Sequence, residues 1–218
     1  MTKTLMNRLL CAGALLAAPG LSHALDGITD SAGDFLSTFA GSHASGDLDV
    51  LSASVLYDAG ADLFKLSSTM NGAIGSTSSG FFVWGVNRGA GTAGFAANGI
   101  SGVRFDRVIL LRPNGVSSVA GAGNLPVGSV TISGNTISAV ISGSLLPSTG
   151  FNKLDYTWNL WPRDGAFSGF AAISDFAPNN ANFTSTSGVV SSVPEPESYA
   201  LMLAGLGLMA AFASRRRA

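Results

Sequence analysis

The feature that most constrains this chain is the alternation in Lys153-Leu-Asp-Tyr-Thr-Trp-Asn-Leu-Trp161. Leu154, Tyr156, Trp158 and Leu160 fall on one face, and Asp155, Thr157 and Asn159 fall on the other. A two-residue period is that of a β-strand with one side on a core. The stretch from Ser129 to Ile141 holds two β-branched runs around Ser133-Gly134-Asn135 and predicts a hairpin. Further strands are predicted over 48–57, 63–70, 80–87, 103–111 and 170–174, separated by Gly, Ser and Asn turns. Between the two ends no apolar run keeps a 3.6-residue period, and no fixed repeat occurs. The expected fold is therefore all-β: an antiparallel β-sandwich or jelly roll over 25–184, with a Ser/Thr/Gly linker over 185–192.

The two ends follow different rules. Lys3 and Arg8 precede an apolar run from Leu9 to Ala18, then Pro19-Gly20 and a small-x-small site, Ser22-His23-Ala24. That order is the pattern of an export signal over 1–24, cleaved after Ala24. The single cysteine, Cys11, lies inside it. The mature chain therefore has no disulfide, no thiol nucleophile and no thiolate metal ligand. From 25 to 193 there are seven cations against eleven aspartates, a net charge of −4, with no glutamate before Glu195. A mildly acidic domain poor in lysine lacks the basic footprint of a nucleic-acid binder.

At the other end, Val193-Pro-Glu-Pro196 is followed by an uncharged apolar run from Tyr199 to Ala213 and then by Arg215, Arg216 and Arg217. As a helix those 15 residues span roughly 22 Å, short of a hydrocarbon core of about 30 Å. The proline entry and arginine exit nevertheless fit a membrane segment with its positive end inward. The arrangement resembles the PEP-CTERM sorting signal of Gram-negative bacteria. The resemblance implies recognition of Pro194, Glu195 and Pro196 by an exosortase and cleavage near that motif. It also implies that the sorting signal over 193–218 resides transiently in the inner membrane through its transmembrane helix, with Arg215, Arg216 and Arg217 on the cytoplasmic side, and delivery to the cell surface or matrix. The middle is similar to uncharacterised ectodomains that accompany such tails, in Gly33-Asp34-Phe35, Asp47-Leu-Asp-Val50, Trp84-Gly-Val, Tyr156-Thr-Trp-Asn-Leu-Trp-Pro-Arg163 and Ile173-Ser-Asp-Phe-Ala-Pro-Asn179.

Motifs with chemistry are weak in the middle. Gly89-Ala-Gly-Thr-Ala-Gly94 matches GxGxxG, but no helix pattern follows and the chain has 28 glycines, so it reads as a turn. His43, in Gly41-Ser-His-Ala-Ser-Gly46, is the histidine left after signal removal and reads as a solvated loop residue. Neither a GxSxG elbow nor an HExxH helix is present. Asp30, Asp34, Asp47 and Asp49 sit in turn-rich chain before the first strong strand and are candidate ligands of a structural Ca²⁺, with Asx-turn capping as the competing reading. Trp161, beside Pro162 and Arg163 at a strand end, is a candidate sugar-facing aromatic, whereas Trp84 and Trp158 read as core. Asn182-Phe-Thr184 is a glycosylation sequon by pattern.

These features point to an exported, non-enzymatic surface or matrix component associated with exopolysaccharide or biofilm, needing no cofactor beyond a structural Ca²⁺. The alternative is a Ca²⁺-assisted carbohydrate-binding or adhesive module. A glycosidase using paired aspartates is the third reading.

Overall fold

The computed structural model describes residues 27–190. The expected signal helix, its cleavage point at Ala24 and the sorting helix lie outside the described residues. Twelve strands occur in chain order: β1 (Ile28–Thr29), β2 (Val50–Asp58), β3 (Leu63–Met70), β4 (Gly80–Asn87), β5 (Arg107–Leu111), β6 (Ser118–Val119), β7 (Gly123–Asn124), β8 (Val130–Ser133), β9 (Thr136–Ser142), β10 (Thr157–Asp164), β11 (Phe183–Thr184) and β12 (Thr186–Ser187). They form two six-stranded sheets. The first runs β1-β2-β3-β9-β8, and β12 also pairs with β2. The second runs β11-β10-β4-β5-β6-β7. All pairings are antiparallel except β12 on β2. The protein is an all-β sandwich.

Alternation explains which side chains meet between the sheets. Phe64, Leu66 and Met70 of β3 and Ile137, Ala139 and Ile141 of β9 face Phe82, Trp84 and Val86 of β4, Ile109 and Leu111 of β5, and Trp158 and Leu160 of β10. All are essentially inaccessible, and the Phe64 ring lies 5.4 Å from that of Trp158. Burying a ring of tryptophan size contributes roughly 4–6 kcal/mol of gross transfer free energy, so Trp84 and Trp158 are main anchors of the core.

The outer faces of the two sheets differ. On the first, the positions between the core residues of β3 and β9 are mostly hydroxylic, apart from the facing pair Lys65 and Val140, and the hydroxyls pair across strands: Ser67 with Ser138 and Thr69 with Thr136, each at 3.2 Å. This is a solvent face. On the second, the alternate positions Phe81 and Val83, Val108 and Leu110, and Trp161 are apolar, and loops cover much of them. Phe81-Phe-Val-Trp84 and Val108-Ile-Leu-Leu111 are continuous apolar runs, the signature of strands covered on both sides.

Several expectations need correction. The predicted strand over 170–174 is a tight 3-10 turn, Gly169–Ala172, followed by a single bridge from Ile173 to Arg163. The strand predicted over 103–111 begins at Arg107, and that over 48–57 runs Val50–Asp58. Lys153–Asp155 forms a 3-10 turn, which leaves Leu154 exposed instead of in the core. Asn159, expected on a solvent face, is fully buried because its amide donates to the carbonyls of Pro178 and Ala181 in the covering loop. Trp161 is buried, not a free sugar-facing ring.

The first part of the expected linker belongs to the sheet. Thr186 and Ser187 pair with Leu56 and Tyr57, beside β1 on the same edge of β2. Ser185 accepts a hydrogen bond from the Trp158 indole, and the Val190 amide donates to Asp58. The pattern of small hydroxylic residues was misleading because a backbone ladder at an open sheet edge needs no large side chains.

Candidate functional site

The covered side of the second sheet leaves a groove of about 630 Å³. Its floor is supplied by the outward positions Phe81, Val83, Val108 and Leu110, and its wall by Phe95, Phe105 and Trp161. The Trp161 ring is 5.1 Å from Phe95 and 5.0 Å from Phe105, so the aromatic wall is one packed unit. Behind it, Phe176 and Phe170 continue the cluster.

Two cations edge this apolar surface. Arg112 follows β5 and places its guanidinium 4.5 Å from the centre of the Phe81 ring, a cation–π contact. Arg163, outward on β10, donates from Nη2 to the Gly169 carbonyl, and burial holds its guanidinium below its ordinary pKa. Among the described residues the ion pairs are Arg88–Asp106 and Lys153–Asp62. Arg112 and Arg163 therefore line the groove without a carboxylate partner, in a domain where aspartates outnumber cations. Among the described residues no carboxylate lines the groove.

A second grouping lies at the start of the sandwich. Carboxylate oxygens of Asp30, Asp34 and Asp175 come within 4.8 Å of one another. Asp30 follows β1, Asp34 lies in the next turn, and Asp175 sits in the loop after β10. Asp49, immediately before β2, holds that turn through the Gly33 amide at 2.8 Å and accepts from Asn71 at 2.9 Å. Burial, aided by the charges of Asp34 and Asp49, pushes Asp30 up to about 6. Burial, aided by Asp30 and Asp34, pushes Asp175 up to about 8.

Of the four aspartates suggested by sequence, Asp30 and Asp34 thus come together, and Asp49 stands beside them. Asp47 does not join: its carboxylate is saturated by the Ser45 hydroxyl and by the hydroxyl and amide of Thr77. Asp175 carried no sequence signal, because its place in the group comes from the loop that returns to β2. There the amides of Val50 and Phe176 donate to its two oxygens.

The remaining motifs have structural explanations. The Asn87 side chain caps the amides of Gly89 and Gly91, and a Cβ on Gly94 would lie 2.6 Å from the Phe105 ring. The GxGxxG match is thus a close-packed turn, followed by a 3-10 turn of three residues rather than a helix. His43 stacks on Phe35, with ring centres 4.3 Å apart. The Asn182 amide is spent on the Arg104 carbonyl and the Thr157 hydroxyl.

Comparison with known families adds the last segment. Residues 192–217 match the model of the PEP-CTERM protein-sorting motif. The chain carries a PEP-CTERM sorting signal. The motif identifies an exported protein, targeted by an exosortase and anchored in a membrane before cleavage. Pro194, Glu195, Pro196, Arg215, Arg216 and Arg217 lie outside the described residues. Among the described residues no helix is long and apolar enough to cross a membrane. No curated protein matches the chain. The PEP-CTERM match begins at residue 192, after the described sandwich ends, so the activity of the sandwich rests on its own surface.

Proposed function

We propose that this protein is a non-enzymatic surface or matrix component of a Gram-negative bacterium, released from the inner membrane by its exosortase, whose sandwich binds an acidic exopolysaccharide in the Arg112–Arg163 groove. The observation that carries the reading is the pair of guanidinium groups, free of carboxylate partners, on an aromatic surface. Ligand sites are commonly apolar clefts with a few polar groups that fix orientation. Guanidinium forks bind carboxylates with two parallel hydrogen bonds, which suits uronate residues, while apolar ring faces suit the C–H face of a sugar. A glycosidase would require two carboxylates flanking the bound sugar. The lining of this groove supplies none, which favours binding over hydrolysis.

Affinity electrophoresis of the exported protein through gels containing polygalacturonate or neutral dextran tests the reading. Retardation by the polyuronate alone is expected, and equal mobility in both gels would refute it. Intact-mass analysis of the surface form addresses the sorting half, with loss of the C-terminal segment expected.

A further inference from the structure

We propose that Asp30, Asp34 and Asp175 form a calcium site, with the buried Asp49 carboxylate as its fourth negative neighbour, that fastens the N-terminal segment to the loop following β10. The site is separate from the groove and does not depend on the glycan reading.

Three observations converge on it. The first is spacing: oxygens that share an ion at about 2.4 Å, the Ca²⁺–oxygen distance, must lie within about 4.8 Å of one another, and one oxygen from each of these three carboxylates does. The second is unused capacity. Asp30 Oδ2, Asp34 Oδ1 and Asp49 Oδ1 are buried atoms with no hydrogen-bond partner. Asp49 is wholly inaccessible, and its other oxygen grips the Gly33 amide beside Asp34, so its carboxylate is held against the same turn. Buried polar atoms are nearly always satisfied, so unsatisfied oxygens on two members of the group, Asp30 and Asp34, and on Asp49 behind the same turn call for a ligand.

The third is charge. Among the described residues no Lys or Arg side chain pairs with any of the four carboxylates; neutral donors reach one oxygen each of Asp30 (Ser31 N), Asp34 (Asn179 Nδ2) and Asp49 (Gly33 N and Asn71 Nδ2), and both oxygens of Asp175 (the Val50 and Phe176 amides). Like charges brought together out of water repel strongly unless an opposite charge joins them. A divalent cation supplies that charge. An all-carboxylate donor set without histidine or thiolate selects a hard ion over zinc, and Ca²⁺ accepts carboxylates held by separate loops without the strict octahedron that Mg²⁺ demands. An exported protein meets Ca²⁺ at the concentrations for which extracellular modules are tuned, about 0.1–1 mM.

The test uses the exported protein produced from the full chain, stripped with chelator and titrated with CaCl₂ by calorimetry and thermal melting. One ion per chain and a rise of several degrees in Tm at about 1 mM Ca²⁺ are expected, with a much smaller response to Mg²⁺. Asp34→Asn should keep the wild-type circular dichroism in chelator and lose at least tenfold in Ca²⁺ affinity. Asp30→Asn gives the same readout if that variant does not fold, and Asp155→Asn, at an exposed turn, should respond as wild type. Absence of heat and of any Tm shift in the wild-type protein would overturn the proposal, as would a wild-type response in both Asp34→Asn and Asp30→Asn.

Discussion

The Trp161 indole lies directly over Gly85: a Cβ built on Gly85 would stand 2.4 Å from both Cη2 and Cζ3 of the ring. Gly85 and Trp161 are on adjacent strands, β4 and β10, and both face outward from the second sheet. The missing side chain at one position makes room for the largest at the other, and the aromatic wall of the groove is built on that fit.

Gly85→Ala should therefore displace Trp161. Overpacking of this kind costs about 1–3 kcal/mol. Thermal melting should show a lower Tm, and tryptophan fluorescence should shift to the red as the Trp161 ring moves outward from Phe95 and Phe105.

Arg88 and Asp106 form an almost fully buried ion pair at 2.8 Å, which ties the 87–90 turn to the start of β5. Burial acts to raise the Asp106 carboxyl, but hydrogen bonds from Thr149, Arg88 and the Ala90 amide, with the Arg88 charge, outweigh it and hold it below the usual carboxylate range. Its stabilisation is thus fully present above the unfolded value of about 4 and is lost as pH falls through the lower folded value. Asp106→Asn leaves a buried guanidinium uncompensated and should cost about 3 kcal/mol at neutral pH. In urea titrations its stability should fall less steeply than wild type below about pH 4.

The end of the described chain is a structural part. A protein ending after Val190 should melt as the longer chain does. Removing residues 185–190 takes away β12, the Ser185 acceptor of the Trp158 indole and the Val190 amide bond to Asp58. An unpaired indole N–H alone costs about 1–3 kcal/mol, so a chain ending at Thr184 should have a clearly lower urea midpoint.

In the groove, Arg112→Ala and Arg163→Ala should each weaken retention by polygalacturonate several-fold, and the double variant should lose most of the salt dependence of binding. Arg163→Lys keeps the charge but not the fork, so it should recover only part of the affinity.

The strands β3 and β4 were legible to the residue, because alternation in Leu63–Met70 and the apolar run in Gly80–Asn87 are local properties. The Ser133-Gly134-Asn135 turn was equally local, and it closes the β8–β9 hairpin with Ser133 opposite Thr136. The edge strands β1, β11 and β12 were not, since two-residue ladders have no period to read. Phe170 to Ser174 looked like a strand because its residues are apolar. They are apolar because the turn caps an aromatic cluster, and composition does not separate those causes.

By itself the sequence determined what repeats over a few residues: β-strands from two-residue alternation, the lack of disulfides from cysteine usage, and a sorting address from a contiguous tail. Only the tertiary structure decided which outer face is solvent and which is aromatic. It alone buried Trp161 and Asn159, and it alone replaced Asp47 by Asp175 in the acidic group. The reason is physical: strand identity is set by neighbours along the chain, whereas burial and carboxylate clustering are set by segments that meet only after the sheets have packed.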